Sequence, residues 1–141
     1  MYQHILIPTD GSELAEHGMA HGLALAKSLG AKASVIFVVE PFPEMTGRYL
    51  EPVARYAELR REPATSVLDR AANAAKEAGP SCETIQAEGQ PHRAIIAAAE
   101  DKGCDLIVMS SHGRSGLSVL LIGSVTNKVL TQAKTPVLVC Q

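Results

Sequence analysis

The chain has 141 residues, 46% of them hydrophobic and 20% charged, with a formal net charge of −2, so a single domain with its own core is expected and a strongly basic or acidic partner is not. The absence of a basic stripe, with 4% aromatics and no Trp, argues against nucleic-acid binding. No apolar run approaches the roughly 20 residues that span a bilayer, and MYQHILIPTD lacks a cationic leader segment, so a cytoplasmic protein without membrane association is expected.

The first apolar run, HILIPT (His4 to Thr9), ends at Pro and Gly and reads as a strand. In SELAEHGMAHGLALAKSLG, helical spacing relates Leu14, Gly18, His21, Leu25 and Leu29, and Ala15, Met19, Gly22 and Ala26 widen the stripe. Asp10 or Ser12 can cap that helix, and Gly30 can end it. ASVIFVV (Ala33 to Val39) is a continuous β-branched run, expected to be a strand buried on both faces. The prolines and glycine of Glu40 to Pro52 predict a loop, and a helix near Val53 must break or kink at Pro63.

Ala64, Val67, Leu68, Ala71, Ala75 and Ala78 mark the next helix, which Gly79-Pro80 stops. Cys82 to Glu88 is a weaker strand. A further helix opens on Pro91 and stops at Gly103. Cys104 to Ser110 is the strongest central strand. The last helix, SVTNKVLTQA, should turn Val125, Val129 and Leu130 inward, and Pro136 to Cys140 forms the closing strand. Alternating strands and helices imply a parallel sheet with helices on both faces. Ligands of such sheets bind beyond the carboxyl ends of the strands, where the winding reverses.

One stretch is too long for a simple turn: SSHGRSGLSVLLIGS, Ser110 to Ser124, which joins the strongest strand to the last helix. Gly113 and Gly116 permit close backbone approach to a ligand. Gly123 and Ser124 open a helix, where free amides and the helix dipole favour an anion. Ser111, Ser115 and Ser124 add hydroxyls, and Arg114 adds a charge. Two readings follow, a phosphate cradle or a connector needed only for chain geometry. It is neither a P-loop nor a G-x-G-x-x-G fingerprint.

Other candidates are weaker. His112 beside Ser111 lacks a nucleophile elbow. His17 and His21 share a helical face but lack a third ligand, and His92 fits the core or the surface. Cys82, Cys104 and Cys140 have no metal or redox spacing and read as reduced thiols.

ILIPTDGSELAEHGMAHGLALA, GQPHRAIIAAAEDKGCDLIVMSSHG and GSVTNKVLTQAKTPVLV together resemble the universal stress protein family over the whole chain. Its ATP-binding members carry G-x2-G-x9-G-(S/T). Gly113, Gly123 and Ser124 match that motif, and Ser110 replaces the first glycine. Ser110 either crowds the nucleotide or points away from it.

The resemblance implies a three-layer α/β sandwich with a five-stranded parallel sheet of order 3-2-1-4-5. This is a flavodoxin-like or Rossmann-like fold, akin to the adenine nucleotide alpha hydrolases. It places Pro8, Thr9 and Asp10 at adenine or ribose and the Val38 main chain on adenine. Met109, Ser110, Ser111, His112 and Gly113 would line the ribose, and Gly113, Gly123, Ser124 and Val125 would meet phosphates. Arg114 and Gly116 belong to the same loop. The expected ligand is ATP or AMP, with Mg²⁺ carried on the phosphates.

The implied role is a regulatory or sensor module in a stress response, with no catalytic residue. A slow ATPase is the third reading, because Asp10 is the one carboxylate at hand. The rival is a nucleotide-free dimeric interaction module. A homodimer through Pro136, Val137, Leu138, Val139 and Cys140 is expected, because an apolar edge strand invites a second copy. The further protein partner has no signature in the sequence.

Overall fold

The computed structural model describes residues 1–41, 63–111 and 122–141. The expected helix near Val53 and the residues from His112 to Leu121 lie outside the described residues. The elements are β1 (His4–Pro8), α1 (Glu13–Leu29), β2 (Lys32–Val39), α2 (Ala64–Ala78), β3 (Cys82–Glu88), α3 (Pro91–Asp101), β4 (Leu106–Ser110), α4 (Ser124–Gln132) and β5 (Val137–Cys140).

All pairings are parallel, in the order β3-β2-β1-β4-β5. The central strands are apolar on both faces and divide their side chains between two cores. Ile5, Ile7, Val35, Phe37, Leu106 and Val108 meet α1 and α2. Leu6, Ile36, Ile107 and Met109 meet the face that carries Ile95, Ala99 and Val129. The helices therefore lie on both faces, as the alternation predicts.

The buried face of α1 is Ala15, Gly18, Met19, Gly22, Leu23 and Ala26. Leu14 and Leu29 are exposed, as is His21, so the stripe is rotated from the one centred on the leucines. The cause is close packing. A Cβ on Gly22 would lie 2.7 Å from Ile7 Cδ1, and one on Gly18 would lie 3.0 Å from the Ser110 amide nitrogen. Small residues bring the helix down onto β1 and β4, and that contact sets the rotation. Ser12 caps the helix by accepting from the Ala15 amide, and Gly30 ends it with φ 66°.

α2 buries Val67, Leu68, Ala71 and Ala75, and Pro63 stands at its N-cap. In α4 the inward residues are Thr126 and Val129, while Leu130 is exposed. β5 begins at Val137 because Pro136 has no N–H to donate, although its carbonyl accepts from the Ile107 amide at 2.9 Å.

Candidate functional site

β1 and β4 pair only through Ile5–Leu106 and Leu6–Ile107. The carboxyl ends of these two strands flank the point where the winding changes direction, the place where sheets of this kind offer a crevice for ligands. The crossover from β1 passes through α1 to β2, on one side of β1, whereas β4 and β5 lie on the other.

Pro8 ends β1 and brings no amide hydrogen to the crevice. Thr9 is buried, its amide donates to the Ile36 carbonyl at 2.9 Å, and its Oγ1 accepts from the Gly11 amide. Asp10 Oδ1 accepts from the Ser12 amide at 2.9 Å. Gly11 has φ 82°, a left-handed conformation that suits glycine, and this turn carries Asp10 just past the carboxyl end of β1. Asp10 thus shapes the entry to α1 while Ser12 caps it.

Val38 follows from strand alternation. The Ile36 carbonyl faces β1, where it meets Thr9, and the Val39 carbonyl faces β3, where it accepts from the Gly89 amide at 3.0 Å. Main-chain groups of successive residues face opposite neighbours, so those of Val38 face the β1 side, beyond the last β1 register pair Pro8–Ile36. A donor and an acceptor in that position match the edge of a base.

At the end of β4, Met109 sends its side chain into the core shared with Ile95 and Val129, so only its backbone faces the site. Ser110 has the parity of Leu106 and Val108 and faces α1, where its Cβ would stand 3.4 Å from a Cβ on Gly18. The missing side chain of Gly18 is the space that Ser110 uses. The backbone parity thus turns the Ser110 side chain toward α1. Ser111 is buried, and its amide donates to the Cys140 carbonyl at 2.8 Å. His112, Gly113, Arg114 and Gly116 lie outside the described residues.

The chain returns at Ile122. The Gly123 amide donates to the Ser111 carbonyl at 2.7 Å, and Thr126 Oγ1 donates to the Ser110 carbonyl at 2.8 Å. These two bonds dock the N-terminus of α4 against the end of β4. The first backbone bond of the helix runs from the Asn127 amide to the Gly123 carbonyl at 2.9 Å, and among the described residues no side chain caps the helix. The amides of Ser124, Val125 and Thr126 therefore precede the intrahelical ladder, and they face the direction in which an anion gains from the helix dipole. Ser124 is exposed and Val125 half-buried.

Thr126 was missed by sequence reasoning. Its spacing with Val129 marks the inward face, and a hydroxyl there has a carbonyl to bind. Gly18 was read as packing, and its contribution to the site is to make room for Ser110.

The Universal stress protein family profile matches residues 1–141. The chain belongs to the universal stress protein family. It is 35% identical to Universal stress protein MJ0531 of Methanocaldococcus jannaschii over 99% of this chain and 82% of that one. It is 34% identical to Universal stress protein YxiE of Bacillus subtilis over 99% of both. Among solved structures, a universal stress protein in complex with cAMP is similar with a TM-score of 0.77 and 27% identity, covering 99% and 97% of the two chains. The universal stress protein of Archaeoglobus fulgidus in complex with dAMP shares the fold, with a TM-score of 0.70 and 18% identity over 99% and 98%. The strand order expected of a universal stress protein is the order observed here.

Among the described residues of this universal stress protein, no group of three or more His, Cys, Asp or Glu residues could hold a metal ion. His17 and His21 are exposed and His92 is buried, and the three cysteines are free thiols. No described helix is long and apolar enough to cross a membrane.

Proposed function

We propose that this universal stress protein binds an adenine nucleotide, ATP or AMP, in the crevice between β1 and β4. It then acts as a regulatory or sensor module with no fast reaction of its own. The observation that carries this reading is the convergence at that crevice. Unladdered main-chain groups of Val38, the Asp10 turn and the amides of Ser124, Val125 and Thr126 all reach the same end of the sheet. Val38 would read the adenine edge, Asp10 the ribose, and the α4 amides a phosphate. Related proteins holding cAMP and dAMP support the ligand class. Mg²⁺ would arrive on the phosphates, where it neutralises their charge.

Calorimetric titration with ATP-Mg²⁺ and with AMP tests the reading. Measurable heat and a rise in Tm are expected. No heat and no thermal shift at millimolar nucleotide would overturn it in favour of a nucleotide-free interaction module.

The second element of the proposal is a homodimer through β5. The edges of the sheet differ: β3 carries Glu83 and Glu88, whereas β5 reads Val-Leu-Val-Cys without a charge, and Leu138 is exposed. A bare apolar edge is relieved by a second copy of itself. Light scattering at micromolar concentration should give a dimer, and Val137→Lys or Val139→Lys should shift it toward monomer.

A further inference from the structure

The ladder between β1 and β4 has its last pair at Leu6–Ile107, and Pro8 has no amide hydrogen to extend it. The main chain of β4 runs on past that pair. Ile107 and Ser111 both donate toward β5, to the Pro136 and Cys140 carbonyls at 2.9 and 2.8 Å. Main-chain groups alternate in direction along a strand, so the Ser110 carbonyl faces the β1 side. There it accepts from Thr126 Oγ1 at 2.8 Å. Thr126 is 3% exposed, so water competes little for that bond. The next carbonyl, that of Ser111, accepts from the Gly123 amide at 2.7 Å. Consecutive carbonyls at the end of β4 are thus held by the N-cap and by the third residue of α4.

We propose that Thr126 is a positioning residue for the phosphate of the bound nucleotide, an inference that rests on the nucleotide reading above. Its amide is one of the three that precede the intrahelical ladder, and its hydroxyl holds the Ser110 carbonyl, so that carbonyl lies within one residue's reach of the amides assigned to phosphate. A carbonyl oxygen is the negative end of its dipole. Without the hydroxyl, it would oppose an anion drawn to those amides. One bond therefore does two things: it fixes how the helix presents its amides, and it withdraws an acceptor from an anion site. Neither effect reaches adenine or ribose, which the reading assigns to Val38 on β2 and Asp10 in the turn after β1. Loss of the hydroxyl should weaken ligands that carry phosphate and spare one that does not.

The test is calorimetric titration of two variants with AMP, ATP-Mg²⁺ and adenosine. Thr126→Val keeps the side-chain shape and removes the hydroxyl, whereas Thr126→Ser keeps the hydroxyl. Thr126→Val should lose about tenfold or more in affinity for AMP and ATP and stay within about twofold of wild type for adenosine. Thr126→Ser should stay within about twofold for all three. The role is overturned by undiminished AMP affinity in Thr126→Val, by an equal loss for adenosine, or by a Thr126→Ser as weak as Thr126→Val. If adenosine gives no heat even with wild type, the serine rescue decides alone. Thr126→Ala takes the place of a Thr126→Val that does not fold, and if neither folds, the hydroxyl serves the fold and the role is overturned. A wild type that binds none of the three ligands overturns the nucleotide reading itself. A wild type that binds them, with Thr126→Val indistinguishable from it, removes the positioning role and leaves that reading standing.

Discussion

At its N-terminal end β1 is tied down by side chains. Asp105 takes the amides of Gln3 and His4 at 2.9 to 3.1 Å, and His4 reaches through Ser34 to β3. At its C-terminal end the same strand stops at a proline, its pairing with β4 has already lapsed, and the bonds there are made by turns and helix ends. The difference separates two tasks. One end uses its polar groups on itself and holds register. The other leaves the Val38 backbone and the first α4 amides outside the ladders, where the proposed nucleotide would complete them. Substitutions at the two ends should therefore move different observables.

The largest effect is expected at the open end. Gly123 is buried but has φ −60° and ψ 154°, extended backbone that any residue adopts, so Gly123→Val brings no backbone strain. Its branched side chain would stand where a phosphate approaches the α4 amides. Losing one charge-assisted contact of that kind is worth about 100-fold in nucleotide affinity. Calorimetry on a variant with unchanged Tm measures it, and retained affinity would place the nucleotide elsewhere.

Asp105→Ala is the counterpart at the closed end. It removes the acceptor for two backbone amides and should lower stability by about 1–2 kcal/mol while leaving nucleotide affinity unchanged. Burial works against the Asp105 carboxylate, but the His4 and Gln3 amides hold its pKa below the usual carboxylate range. The sign follows: its contribution is fully present above the unfolded pKa and is lost as pH falls through the folded one. Urea melts of wild type and variant should therefore differ near neutral pH and converge in acid. A change in affinity as large as the change in stability would dissolve the separation of the two ends.

The alternation of strands and helices was legible in the sequence because buried parallel strands read as continuous apolar runs bounded by Gly and Pro, as in Ile5–Ile7 and Leu106–Met109. The facing of α1 was not. Its contact residues are Ala and Gly, which hydrophobic periodicity weighs less than the leucines beside them, although close approach to Ile7 and Ser110 decides the packing. The His4–Ser34–Glu83 chain was equally hidden. Its links span 30 and 49 positions and sit in stretches that read as plain strands. Of the candidate site, Asp10, Val38 and Gly123 were proposed from motif and resemblance. Thr126 was not, because a threonine in a helical pattern has no signature until the Ser110 carbonyl lies above it.

The smallest effect is the most informative about the departure from the family motif. Ser110 stands at the first glycine of the G-x2-G-x9-G-(S/T) pattern that the resemblance implies, and an extra hydroxyl there has two possible fates: absorbed by packing or exposed to ligand. Strand parity turns its side chain toward α1, into the space left by Gly18. Its carbonyl, which Thr126 binds, does not depend on the side chain. Ser110→Gly should thus change nucleotide affinity by less than about twofold, and the added backbone freedom should lower stability by about 0.5–1 kcal/mol. Tightening by about tenfold would show that the hydroxymethyl group intrudes on the nucleotide after all, and that the open end of β4 is narrower than its backbone implies. Gly18→Ala offers the reciprocal check. Its Cβ would press on the Ser110 amide at 3.0 Å, so it should disturb affinity more than removing the serine side chain does.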